Sequence, residues 1–180
     1  PRDCAALIDL AESTSYKHWT ARDGWLKSVV SVCVWFGVTC KKDRVVKLQL
    51  QSNNLSGSVP ASIEGLTQLS VLDLRGTRPP GYGPESCLAQ GGNNFNNSQL
   101  PHSFYALENL VTLNMEYTCL GGTLSPALGN MLKLQDMLIH GNFISGTLPI
   151  EIDNLPQLVQ HKLGRNPISG TLPPLTRPKP

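Results

Sequence analysis

The chain has 180 residues, a net charge of +2, 40% hydrophobic and 16% charged residues. That balance suits one folded domain, or two small ones, and excludes a disordered polymer. The charge is small and scattered, with Lys41–Lys42 its close pair, which excludes an electrostatic nucleic-acid surface.

The chain opens on "PRDC" without a Met, so its start is expected to be processed or trimmed. In "DCAALIDLAEST", Asp3 is placed to cap a helix whose apolar face carries Ala6, Leu7, Leu10 and Ala11. Trp19, Trp25 and Trp35 follow and read as core of the same N-terminal unit rather than as a ligand cage. The longest apolar stretch, Val29 to Val38, falls well short of the run of about 20 that a membrane helix requires. Five cysteines stand at 4, 33, 40, 87 and 119, and Asn54 and Asn96 head sequons for N-glycosylation. Together they lean toward a secreted or cell-surface protein.

From Leu48 the sequence repeats itself. "LQLQSNNLSGSVPASIEGLTQL", Leu48 to Leu69, returns as "MLIHGNFISGTLPIEIDNLPQL", Met137 to Leu158, and again, cut short, as "HKLGRNPISGTLPPL". "LNMEYTCLGGTLSPALGNMLKL" matches with Thr118 in the Asn place, and "LDLRGT" opens one more copy at Leu72. Starts fall at 48, 72, 113, 137 and 161, so one step of 41 interrupts steps of 24. In L-x-L, alternate residues share a face, so both leucines point inward from a short strand. Asn53, Asn142 and Asn166, with Thr77 and Thr118 as weaker substitutes, sit where each strand ends and can bond backbone groups of adjacent turns. One turn cannot bury its apolar face; stacking supplies the core.

The step of 41 contains "TRPPGYGPESCLAQGGNNFNNSQLP", Thr77 to Pro101. Its Pro and Gly content resembles a linker, but the repeat resumes in register beyond it. It therefore reads as a loop of about residues 78–94 leaving one repeat, with "NNFNNSQLP" the remnant of N-x-L-x-G-x-L-P. Arg78, Tyr82 and Glu85 are its candidate contacts, because loops grafted on regular scaffolds often carry specificity. Adjacent turns bring Cys87 near Cys119, so a disulfide there would staple the loop to the stack; free thiols at both are the alternative.

"LSGSVP" and the two "ISGTLP" segments identify the chain as similar to the plant-type leucine-rich repeats. The resemblance implies an α/β solenoid: a right-handed superhelix with a parallel concave sheet, 3₁₀ turns and a helical, disulfide-bonded N-terminal cap. Residues 1–45 would form that cap, 46–175 five repeats and 176–180 a Pro-rich tail, all one continuous domain. "C-x-W-x-G-V-x-C" resembles the end of such caps, which implies a Cys33–Cys40 bond. Some relatives pair an early cap cysteine with an extra one beside that motif. Here Val32 and Val34 stand there, leaving Cys4 either a small buried residue or an interchain link.

No metal-ligand spacing involves His18, His102, His140 or His161, and no catalytic motif appears, so neither enzyme nor cofactor is expected. His161 takes a leucine position and is expected to be partly buried. Binding is the resembling family's usual work, and alternation assigns the outward positions of its concave strands. They are Lys47, Gln49, Gln51, Asp73, Arg75, Asn114, Glu116, Tyr117, Leu138, His140, Lys162 and Arg165. The expected function is extracellular recognition of protein partners, as in short receptor-kinase ectodomains. The alternative is a structural surface protein that self-associates through its C-terminal edge or Cys4. An inhibitor of cell-wall-degrading enzymes would want more repeats and a C-terminal cap. An ice-binding role would want a regular Thr or Asn array that these outward positions lack.

Overall fold

The computed structural model describes residues 2–27, 30–77 and 92–170. Helix α1, Arg2–Ser13, buries Ala6, Leu7, Leu10 and Ala11, the face their spacing dictates. Asp3 corrects its expected role: it lies within the helix, not ahead of it. Its carboxylate accepts hydrogen bonds from Arg44 Nε at 3.0 Å, Arg44 Nη2 at 2.8 Å and Val45 N at 2.9 Å. Burial alone would raise its pKa, but the Arg44 guanidinium and the Val45 amide prevail and hold it below the ordinary carboxylate value. Asp3 thus ties the helix to the strand that begins the repeats.

Trp19, Trp25 and Trp35 pack beneath α1 with consecutive ring centroids 4.7 and 4.8 Å apart. The indole of Trp19 donates to Thr14 O and that of Trp25 to Phe36 O. Strands β1, Val38–Lys41, and β2, Arg44–Gln49, form an antiparallel hairpin around Lys42 and Asp43, whose φ values are 50° and 58°. Cys40 on β1 is disulfide-bonded to Cys33. Because β1 pairs with β2, the cap occupies the sheet edge at which the repeats begin.

Beyond β2 every pairing in this sheet is parallel, through β3 (Val71–Asp73), β4 (Thr112–Asn114), β5 (Asp136–Leu138) and β7 (Gln160–Lys162). Register aligns Leu48, Leu72, Leu113, Met137 and His161. The first four are buried, each worth about 2 kcal/mol of transferred apolar surface. His161, expected to be partly buried, is exposed, because no residue of β7 is covered. Opposite the strands run 3₁₀ turns at Ala61–Gly65, His102–Ala106, Pro126–Asn130 and Ile150–Asn154. They close the core with Ile63, Phe104, Leu128 and Ile152. A second, short parallel pair, β6 (Gly146–Thr147) with β8 (Ile168–Ser169), lies between strand and 3₁₀ turn.

The backbone groups freed where each strand ends are served by side-chain amides. Asn142 Oδ1 accepts from Thr118 N and Leu120 N, both at 3.0 Å, while its Nδ2 donates to Met115 O and Ile139 O. Asn166 reaches Ile144 N, Ile139 O and Leu163 O in the same way. Asn53 binds Ala21 N and Ala21 O, and so joins the first repeat to the cap. In the second turn this place belongs to Asn93, not to Thr77. Asn93 is fully buried, accepts from Asn53 N and Leu55 N, and donates to Leu50 O and Leu74 O. Thr77 is exposed, and among the described residues its hydroxyl reaches only the Ser52 hydroxyl.

The loop boundaries shift with it. Uninterrupted register would put the ladder residue at 77; it stands at 93, so residues 77–92, not 78–94, form the interruption. One further residue lies between Asn93 and Pro101, which are 8 apart where Asn53 and Pro60 are 7 apart. Thr118 holds its own place only in part. Its hydroxyl donates to Met115 O at 2.9 Å, and Phe95 N, which an Asn would serve, donates instead to the Thr118 carbonyl at 2.7 Å.

Replacing Asn93 with Ala strands two buried N–H groups and two carbonyls, a loss of about 3 kcal/mol or more. Thr77→Ala should change stability by less than about 0.5 kcal/mol. Denaturant midpoints of the two variants check the assignment; equal losses would return Thr77 to the ladder.

A candidate recognition surface on the concave sheet

The outward side chains of β2 to β7 form rows, one residue per turn. Gln49, Asp73, Asn114, Leu138 and Lys162 are in register along one row. Two residues upstream runs a second row, Lys47, Val71, Thr112, Asp136 and Gln160, of which the sequence reading named Lys47 but missed the other four. The same alternation, carried one step further toward each strand's start, would have found it. In it the Thr112 hydroxyl donates to Asp136 Oδ2 at 3.1 Å.

Asn114 departs from expectation. It faces outward but is only 5% exposed, and its Oδ1 accepts from Glu116 N at 3.2 Å. Lys47, Gln49, Gln51, Arg75, Lys162 and Arg165 are exposed, whereas Asp73, Glu116, Tyr117, Leu138 and His140 are half-buried. Ion pairs link Arg75 to Asp73 at 3.6 Å and Lys162 to Glu116 at 3.8 Å. Among the described residues no group of His, Cys, Asp and Glu is arranged to hold a metal ion.

Tyr117 is not a strand residue. It occupies the left-handed turn before the ladder, with φ 55°, a conformation costing a non-glycine residue about 1–2 kcal/mol. Ser52, Gly141 and Arg165 take the same conformation at the same repeat position. The neighbouring turns make room for Tyr117 with glycines. A Cβ on Gly76 would lie 1.9 Å from the Tyr117 carbonyl, and one on Gly141 would lie 2.5 Å from its ring. The ring then meets His140 edge-on, with centroids 5.4 Å apart.

Asp73 also sits at a cost. Burial raises its pKa, with the Glu116 charge adding to the shift and the Arg75 amide and guanidinium opposing it. Cys119 follows directly on this turn, has a φ of 54° and is disulfide-bonded. Its expected partner Cys87 lies outside the described residues, as do Arg78, Tyr82 and Glu85. Cys4 is a free, half-buried thiol.

The Leucine Rich Repeat family matches residues 44–66, the first of the stacked turns. The crystal structure of the BIR3–SERK2 complex from Arabidopsis thaliana aligns with a TM-score of 0.73 and 27% identity, over 97% of this chain and 86% of that one. The chain is a plant-type leucine-rich-repeat protein. The ectodomain of the receptor kinase SOBIR1 from Arabidopsis thaliana shares the fold, with a TM-score of 0.74, 20% identity and coverage of 97% and 84%. Phytosulfokine receptor 1 of Arabidopsis thaliana is 31% identical over 127 residues, 68% of this leucine-rich-repeat chain and 10% of the receptor. Receptor protein kinase WSS1 of Oryza sativa subsp. japonica is 36% identical over 46% of the chain. The chain spans about a tenth of the length of these curated relatives.

A carboxylate whose folded pKa is raised contributes stability at low pH and loses it as pH rises through the folded value. Asp73→Asn in this leucine-rich-repeat protein should therefore raise the melting temperature at pH 7. It should also remove the gain in stability that wild type draws from Asp73 on acidification. Melting curves of both proteins across the carboxylate range check this.

Proposed function

We propose that this chain is an extracellular, non-enzymatic recognition module that binds a protein partner through its concave sheet around Tyr117, Leu138 and His140. The observation that carries this reading is Tyr117. A bulky aromatic is kept in a left-handed turn, with a glycine on either side of it, where an Asn or Gly would cost less. Asp73 supports the reading, since its half-buried carboxylate also costs stability that an amide would not. Sites that keep such residues trade stability for function. Similarity to Phytosulfokine receptor 1 and to a chain of the BIR3–SERK2 complex supports a partner-binding reading.

A photo-crosslinking residue at Leu138 should capture one specific partner from extracts of the source tissue. The same residue at Thr147, exposed on β6, should not. Equal capture from both positions, or none from Leu138, would remove the concave sheet as the recognition surface.

A second reading, self-association, draws on the free thiol of Cys4 and the exposed strand β7. It would show as a disulfide-linked dimer, or as concentration-dependent growth in light scattering.

A further inference from the structure

The two sequons of this chain are not equivalent in the fold. At the first, Asn54 Nδ2 donates to His18 O at 2.8 Å, Leu55 is fully buried, and Ser56 N donates to Thr14 O at 3.0 Å. That tripeptide is the seam between cap and repeats, and its amide nitrogen is already part of the joint. At the second, Asn96 is exposed, in a left-handed turn with φ 51°, and its side-chain amide makes no hydrogen bond among the described residues. The Ser98 hydroxyl, by contrast, is buried, and it too has no partner among the described residues.

The turn with the extra residue between Asn93 and Pro101 holds two consecutive exposed residues in the left-handed region, Asn96 and Asn97. The residues on either side of Asn96 are meanwhile held in place. Asn94 bridges Ser56 of the preceding turn. Asn97 and Gln99 lie tight against the next turn, where a Cβ on Gly121 would come 2.0 Å from Asn97 Oδ1 and one on Gly122 2.5 Å from Gln99 Cβ.

We propose that Asn96 is the N-glycan acceptor of this chain and that Asn54 is not, a proposal that rests on the extracellular reading above. In the transfer, the Asn96 side-chain nitrogen bonds to the anomeric carbon of a lipid-pyrophosphate-linked oligosaccharide. The bond from that carbon to the pyrophosphate oxygen breaks, the lipid pyrophosphate leaves, and the amide gives up one proton. No oxidant or reductant takes part. The Asn94–Ser56 bridge belongs to the line of pairings that continues as Thr123–Ser145 and as β6–β8. A glycan at Asn96 therefore covers this side face of the solenoid and leaves the concave sheet to a partner.

The test is import of the full chain, behind a heterologous signal sequence, into microsomes, followed by electrophoresis with and without peptide N-glycosidase. Wild type and Asn54→Gln should carry one enzyme-removable oligosaccharide, and Asn96→Gln should carry none. Ser98→Ala serves as the second variant: it keeps Asn96, removes an unpartnered hydroxyl, and should also be unmodified. A shift that survives Asn96→Gln, or a wild-type chain that stays unmodified, overturns the proposal. An unmodified protein from the natural source beside a modified microsomal chain would instead refute the extracellular reading.

Discussion

Every turn of this solenoid must solve one problem: where a strand ends, backbone N–H and carbonyl groups face the interior with no neighbouring strand to bond. Leaving them unpaired costs more than the burial of one leucine returns. An asparagine amide solves it because one carbonyl and one NH₂ group serve four backbone groups at once. Asn142 does so across adjacent turns, and Asn93 does so on the far side of the interruption at residues 77–92. Leucine rows then supply most of the energy, but the amide decides where each turn closes. The position of the interruption follows from this. Extra residues are tolerated where they precede the ladder amide, since the strand before and the turn after keep their partners.

The repeat, its period, the cap helix and its buried face were legible in the sequence, because apolar spacing and the L-x-L alternation are local signals. The ladder assignment in the second turn was not. Counting from Leu72 lands on Thr77, and only the chemistry of four backbone partners selects Asn93. The "N-x-F" at Asn93–Phe95, matching "N-x-L" at Asn53–Leu55, was the available clue. Asp3 misled for a related reason: an acid at a helix start reads as a cap, and nothing local announces Arg44, distant in sequence. On the concave face, alternation carried no information on exposure. Asn114 is covered by neighbours from adjacent turns, and Tyr117 left the alternation for a left-handed turn.

Stability and recognition are thereby divided between faces. Inward rows and ladder amides are satisfied throughout the regular turns. The exceptions gather at the concave surface and just beneath it: a half-buried carboxylate at Asp73, an aromatic in a left-handed turn at Tyr117, and, in the buried ladder below, a threonine in the asparagine place at Thr118. All three lie in the second and third turns, so the weakest stretch of the ladder coincides with the surface proposed to bind. Cys119 follows at once with its disulfide, which adds a covalent constraint where the amide bonding is thinnest.

Native-state hydrogen exchange resolved at Asn53 and Leu55 tests the central claim most directly. If the Asn93 amide closes the second turn, both N–H groups exchange as slowly as those of Thr118 and Leu120, which Asn142 serves. Fast exchange at Asn53 and Leu55, with Thr118 and Leu120 protected, would contradict it and leave the second turn without a ladder.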